Sequence, residues 1–150
     1  MSFQFTLQKV MELREREKNN VQSEYQEAVT NFETTATQLF EMLKKKETLE
    51  KKAREQIMNG TSIFALQQNE STLLRLGQEI QVQQRFTQLA REKMNRKQED
   101  LLEISIEYKK YEKMKQLKKE QFEEEAKRLE LIQMDEISIR LFAGSAKMGE

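Results

Sequence analysis

Asn59-Gly60-Thr61-Ser62 is the stretch whose reading decides the fold. It is the one plausible turn in a chain otherwise written as helix. The 150 residues hold four glycines and no proline, so helix breaks are few. Before Asn59 lies a helical run of about fifty residues and after Ser62 one of nearly eighty, both far beyond the usual globular helix. Gly60 suits the left-handed residue that closes a helix, and Thr61 or Ser62 suits the N-cap of the next. Neither has Glu or Gln at the capping-box position, which leaves the start of the second helix open. The predicted fold is all-α: two long helices forming an antiparallel coiled-coil hairpin with unequal arms. The expected bounds are helix 1 at 6–58, a turn at 59–61 and helix 2 at 62–142. These make one hairpin domain over 1–143, followed by a disordered tail over 144–150.

Composition supports rods rather than disorder. Hydrophobic residues make up 37% and charged residues 35%, with 26 basic side chains balanced by 26 acidic ones. Zero net charge and regular apolar spacing favour long helix over an unfolded polyampholyte. The chain has no His, Cys or Trp, which removes imidazole bases, thiol nucleophiles and the usual metal ligands. Phosphate-binding loops, nucleotide fingerprints and nucleophile elbows are missing as well. Carboxylate pairs abound, but at helix-surface spacing rather than converging on a cleft. The expectation is therefore a binding or assembly protein without cofactor or bound metal, not an enzyme. Met1-Ser2-Phe3 is not followed by a basic segment and an apolar run, and no stretch approaches the roughly 18 apolar residues of a membrane span. A cytoplasmic protein without direct membrane insertion is expected.

The first arm carries its seam at Val21, Tyr25, Ala28, Phe32, Thr35, Leu39, Met42, Lys46, Leu49 and Ala53, in alternating steps of three and four. Ala36, Phe40 and Leu43 widen that stripe, while Arg14 to Lys18 interrupt it toward the N-terminus. The opening Phe3, Phe5, Leu7, Val10, Met11 and Leu13 passes from alternation to helical spacing near Thr6, a candidate N-cap. Lys44-Lys45-Lys46 and Lys51-Lys52 form basic runs, but Glu47 and Glu50 interleave and no aromatic set accompanies them. They read as a solvated helix face rather than a nucleic-acid site.

The second arm alternates three and four from Leu73 through Leu76, Ile80, Gln83, Thr87, Ala90, Met94, Lys97, Leu101, Ile104 and Tyr108 to Tyr111. Gly77, inside this helix, reads either as a point of close approach or as simply tolerated. A hairpin folded at Gly60 opposes residues whose numbers add to about 120. That sets Gln38 beside Gln83, Met42 near Leu76 and Gly77 near Leu43. Beyond about Leu117 the second arm has no partner in the first. This overhang carries Phe122, Leu129, Leu131, Ile132, Met134, Ile137, Ile139, Leu141 and Phe142, which wrap much of the helix. Exposed apolar surface of that extent marks a contact. Helix with no partner is marginal, so the overhang is expected to take its order on docking.

Four features in order resemble the flagellar FliJ family. They are Phe3-Gln4-Phe5-Thr6-Leu7-Gln8-Lys9-Val10-Met11-Glu12-Leu13-Arg14, the Asn59-Gly60 turn, Met94-Asn95-Arg96-Lys97-Gln98-Glu99-Asp100-Leu101 followed by Tyr108-Lys109-Lys110-Tyr111-Glu112-Lys113-Met114, and Met134-Asp135-Glu136-Ile137-Ser138-Ile139. The resemblance spans nearly the whole chain and is greatest to Bacillus-type proteins. It implies a soluble component of the flagellar type III export apparatus, similar to the central stalk of rotary ATPases. It also implies insertion into the hexameric ring of the flagellar export ATPase, contact with the cytoplasmic domain of the export gate protein, and escort of export chaperones. The implied location is peripheral, at the cytoplasmic face of the membrane at the flagellar base. The ring contact falls on Phe3, Phe5, Leu7, Val10, Leu13, Leu129, Ile132, Ile137, Leu141 and Phe142. Matched through the Asn-Gly turn, the gate contact falls on Gln38, Met42, Leu49, Leu76 and Gln83. Here Lys45, Leu49 and Thr72 stand where the family surface can carry aromatics, and Met42 and Leu49 are equally seam residues. Two other readings compete: a structural rod formed by a parallel dimer, and a substrate chaperone that leaves ATP hydrolysis unchanged.

Overall fold

The computed structural model describes residues 2–148, with side chains through Ala146. Two helices account for the fold: α1, Gln8–Asn59, and α2, Ile63–Met148. They contact one another as a helical hairpin, and no strand occurs among the described residues.

The turn forms as its residues dictate. Gly60 adopts φ 84°, a left-handed conformation that costs an L side chain about 1 kcal/mol or more. Its N–H donates to the Ile57 carbonyl at 3.4 Å, closing α1. Ser62, rather than Thr61, caps α2: its hydroxyl accepts from the Ala65 N–H at 3.1 Å. At the other end the first helical bond of α1 runs from the Met11 N–H to the Leu7 carbonyl at 2.9 Å, one residue beyond the expected cap at Thr6. A turn bond from the Gln8 N–H to the Phe5 carbonyl precedes it. The residues before it are non-helical, a strap rather than a first helical turn.

By contacts within the chain, two compact units are distinguished. One is Lys18–Glu103; the other joins the residues up to Glu17 with those from Ile104 onward. A two-helix seam has no thick core, so each stretch of helix packs only on what lies directly opposite.

In the unit Lys18–Glu103, Ala28, Leu76, Ile80 and Thr87 are buried. The positions between them step three and four on both helices, as the spacing predicts. Several layers are polar. Gln83 Nε2 donates to the Thr35 carbonyl and to Gln38 Oε1, each at 3.1 Å. Thr87 Oγ1 donates to the Gln83 carbonyl at 2.9 Å, and Lys97 Nζ pairs with Glu24 at 2.8 Å. Phe40, expected to widen the stripe, stands 65% exposed.

Gly77 marks no close approach. A Cβ built on it meets nothing within 4 Å. Gly77→Ala is therefore expected to stabilise the hairpin by about 0.5–1 kcal/mol, through lower backbone entropy in the unfolded chain. Urea unfolding checks this; a destabilised variant would show that the glycine is required by packing.

In the other unit, Met11 and Tyr108 are buried. Arg14, read as a break in the seam, is half-buried here, and Lys18 is half-buried in its own unit. Their long aliphatic stems cover apolar surface while the charged ends reach out to partners. Arg14 bonds Glu17 at 2.9 Å, and its Nε lies 3.4 Å from Glu107 as an ion pair. Phe122, placed in the overhang by the spacing argument, is half-buried instead. Its ring lies 5.6 Å from that of Phe3, tilted by 52°.

From Glu123 to Ala146 every residue is exposed, yet α2 continues to Met148. The overhang is thus helical along its described length, with no other segment of the chain packed on it. The tail expected from 144 likewise begins as helix; 149 and 150 lie outside the described residues. Leu, Ile, Met, Glu, Lys and Ala are good or tolerable helix formers, and the single Gly144 costs only about 1 kcal/mol.

Candidate functional site

Two surfaces carry the candidate contact residues. The first belongs to the unit that contains the strap. Phe3, Phe5 and Leu7 are half-buried and line a groove with Met114, Lys118, Gln121, Phe122 and Glu125. Val10 and Leu13 are exposed on α1, at 37% and 52%. Beyond them Leu129, Ile132, Ile137, Leu141 and Phe142 are all exposed along the overhang. These ten residues therefore form three kinds of surface: a strap already seated on α2, two exposed positions on α1, and a bare helix. On that helix Leu129, Ile132 and Ile139 continue the seam stepping. Leu131, Met134 and Leu141 fall on the opposite side by helical spacing. Glu125, held at 2.6 Å by Arg128, stands where strap and bare helix meet. The guanidinium holds the Glu125 carboxyl below its ordinary value, through the hydrogen bond first and charge second.

The second surface lies in the unit around the turn. The expected pair Gln38 and Gln83 is brought together at 3.1 Å. Met42 and Leu49 are half-buried seam residues, and Leu76 is buried at 6% exposure, so its side chain packs the hairpin. A shallow groove beside Gln38 and Gln83 is lined by Ala28, Asn31, Thr34, Phe86, Leu89 and Lys93, among others. Phe86 and Leu89 are each more than half exposed. Sequence reading passed over them, although Val82, Phe86 and Leu89 step by four and three beside the seam. Arg91 covers the Phe32 ring at 5.4 Å, on the same two helices.

The comparisons with known proteins bear on the chain as a whole. The sequence pattern of the family described as "Flagellar FliJ protein" matches residues 3–147. The chain belongs to the flagellar FliJ family. Membership makes it a flagellar, export-related protein. A curated relative, the flagellar FliJ protein of Bacillus subtilis (strain 168), is 39% identical over 142 residues. That alignment covers 95% of this chain and 97% of the relative. No solved structure matches the chain.

In this FliJ-family chain the shifted titrating groups bear on stability. No group of three or more acidic residues is placed to hold a metal ion among the described residues, and no helix among them is long and apolar enough to cross a membrane. Tyr108 is held above its ordinary 10.0 by burial first, and by the negative charges of Glu15 and Glu112. Lys97 is held above its ordinary 10.5 by its hydrogen bond to Glu24. Both shifts favour the protonated form in the folded chain. Their contributions are complete below the unfolded values and are lost as pH rises through the higher folded ones. Helix content should therefore fall as pH climbs past 10, and Tyr108→Phe should move the alkaline midpoint upward. Circular dichroism against pH checks this; an unmoved midpoint would remove Tyr108 from the account.

Proposed function

We propose that the chain is the stalk of the flagellar type III export apparatus, inserting its overhang into the hexameric ring of the export ATPase and promoting ring assembly or activity. The observation that carries this reading is the helix beyond Phe122, exposed throughout yet apolar on opposite sides. A partner touching one face would leave the other in water, whereas a ring lumen encloses both. Family membership supports the export setting. Phe3, Phe5, Leu7, Val10 and Leu13 sit at the base of the overhang and form the collar of the contact, with Leu129, Ile132, Ile137, Leu141 and Phe142 beyond.

The unit around the turn is the end that meets the cytoplasmic domain of the export gate protein. There Gln38 and Gln83 present polar groups side by side. Met42 and Leu49 add half-buried apolar edges, and Leu76 supports them from within the seam. A chain touching ring and gate at different places links the two at the cytoplasmic face of the membrane. Escort of export chaperones uses the same exposed surfaces. Titrating the chain into the purified export ATPase tests the stalk role directly: hydrolysis should rise with added chain until the rings are saturated. Hydrolysis that stays flat while the chain binds flagellar subunits would favour a substrate chaperone instead.

A further inference from the structure

We infer that the seam face of the overhang, Leu129, Ile132 and Ile139, is a docking track for a basic amphipathic helix of a partner protein. The inference rests on the reading of the overhang as a contact element and names the chemistry of what one face of it takes.

Continuity is the first support. Tyr108, Tyr111, Lys115, Phe122, Leu129, Ile132 and Ile139 lie on one uninterrupted stripe of α2, in which the steps are three, four or seven. Along that stripe the chain covers α2 first with α1, around Met11 and Tyr108, and then with the strap, where Phe3 meets Phe122. After Phe122 the stripe runs on and the cover stops. What fits there is what fits earlier on the same stripe: a helix with apolar residues at three-four spacing, laid along α2 in line with α1.

Charge is the second support. From Glu120 to Glu136 there are seven acidic residues, namely Glu120, Glu123, Glu124, Glu125, Glu130, Asp135 and Glu136, against two basic ones, Lys127 and Arg128. Glu125 and Glu136 fall on the stripe itself, between its apolar positions. Arg128 already pairs with Glu125, as a cation from the partner would. A docked helix with Lys or Arg at the edges of its stripe adds opposite charge beside Glu136 and the Glu125–Arg128 pair, whereas one with acidic edges sets like charges together. The same acidic residues disfavour a second copy of this overhang as the occupant, since pairing the two would set like charges together.

The probes are two synthetic helical peptides of about three heptads with Leu and Ile on the stripe, one with Lys on both flanks and one with Glu. Each is titrated by fluorescence anisotropy against the full chain. The Lys peptide should bind at least about tenfold more tightly than the Glu peptide, and should weaken as salt screens the charges. Glu125→Lys with Glu136→Lys should reverse the preference, and Ile132→Ser should abolish binding. These positions are exposed, so the variants should keep wild-type helix content, which circular dichroism verifies. Equal binding of both peptides, a preference that survives the charge reversal, or dimers of the chain that Ile132→Ser dissolves would each overturn the inference. ATPase stimulation is measured on the same variants. If stimulation stays intact while the Lys peptide fails to bind, the docking track is wrong and the ring contact stands; if both fail, the overhang is no contact element.

Discussion

A chain ending at Glu125 should no longer stimulate the export ATPase, although its hairpin stays folded. The cut removes Ala126 onward, and with it Leu129, Ile132, Ile137, Leu141 and Phe142. All of these are exposed in the chain alone, so their loss leaves no cavity and no unpaired buried group. The strap keeps its partner, because Phe122 and the groove beneath Phe3 remain. Stability of the hairpin should change by less than about 1 kcal/mol, as for exposed positions in general. The effect on hydrolysis should be loss of the whole stimulation rather than a fraction, because the truncated chain has nothing left to reach into a lumen. Full stimulation by the truncated chain would move the ring contact elsewhere, with the strap, Val10 and Leu13 the next place to look.

Leu76→Ala should destabilise the hairpin by about 2–3 kcal/mol, whereas Leu74→Ala, two residues away, should change it by less than about 0.5 kcal/mol. The contrast is purely one of burial, since Leu76 is 6% exposed and Leu74 67%. A seam one side chain deep relaxes only in part around a deletion, so the cost approaches that of a core site. Among the described residues Met11, Ala28, Leu76, Ile80 and Tyr108 form the buried apolar set, and losing one of so few is a large share of the cohesion. Urea unfolding of both variants checks the difference. Equal, small effects would mean that the seam is held mainly by its polar layers, such as Gln83 with Thr35 and Gln38. The same pair of variants bears on the gate surface: weaker gate binding by Leu76→Ala is attributable to direct contact only at temperatures where the variant is fully folded.

Much of this protein was legible in its residues. Absence of proline, a single Asn-Gly punctuation and long runs of three-four spacing leave little other than two long helices reversing at Gly60. The turn then sets the register, which is why Gln38 meets Gln83 and why α2 outruns α1. These follow from local rules, because backbone geometry and apolar period act over a few residues at a time. Tertiary structure alone decided the rest. Arg14 and Lys18 read as breaks in the seam, but each is half-buried within its own unit, since the fate of a long amphipathic side chain depends on what stands opposite. The strap and the seating of Phe3 on Phe122 had no signal beyond alternation, as a contact between residues far apart in the chain leaves no period in either. The space at Gly77 was likewise invisible, for an empty volume is made by the neighbours and not by the glycine. The outward turn of Phe40 and Phe86 belongs with these: each lies a fraction of a helical turn from the seam, and only the packed pair of helices determines which side of that line is water.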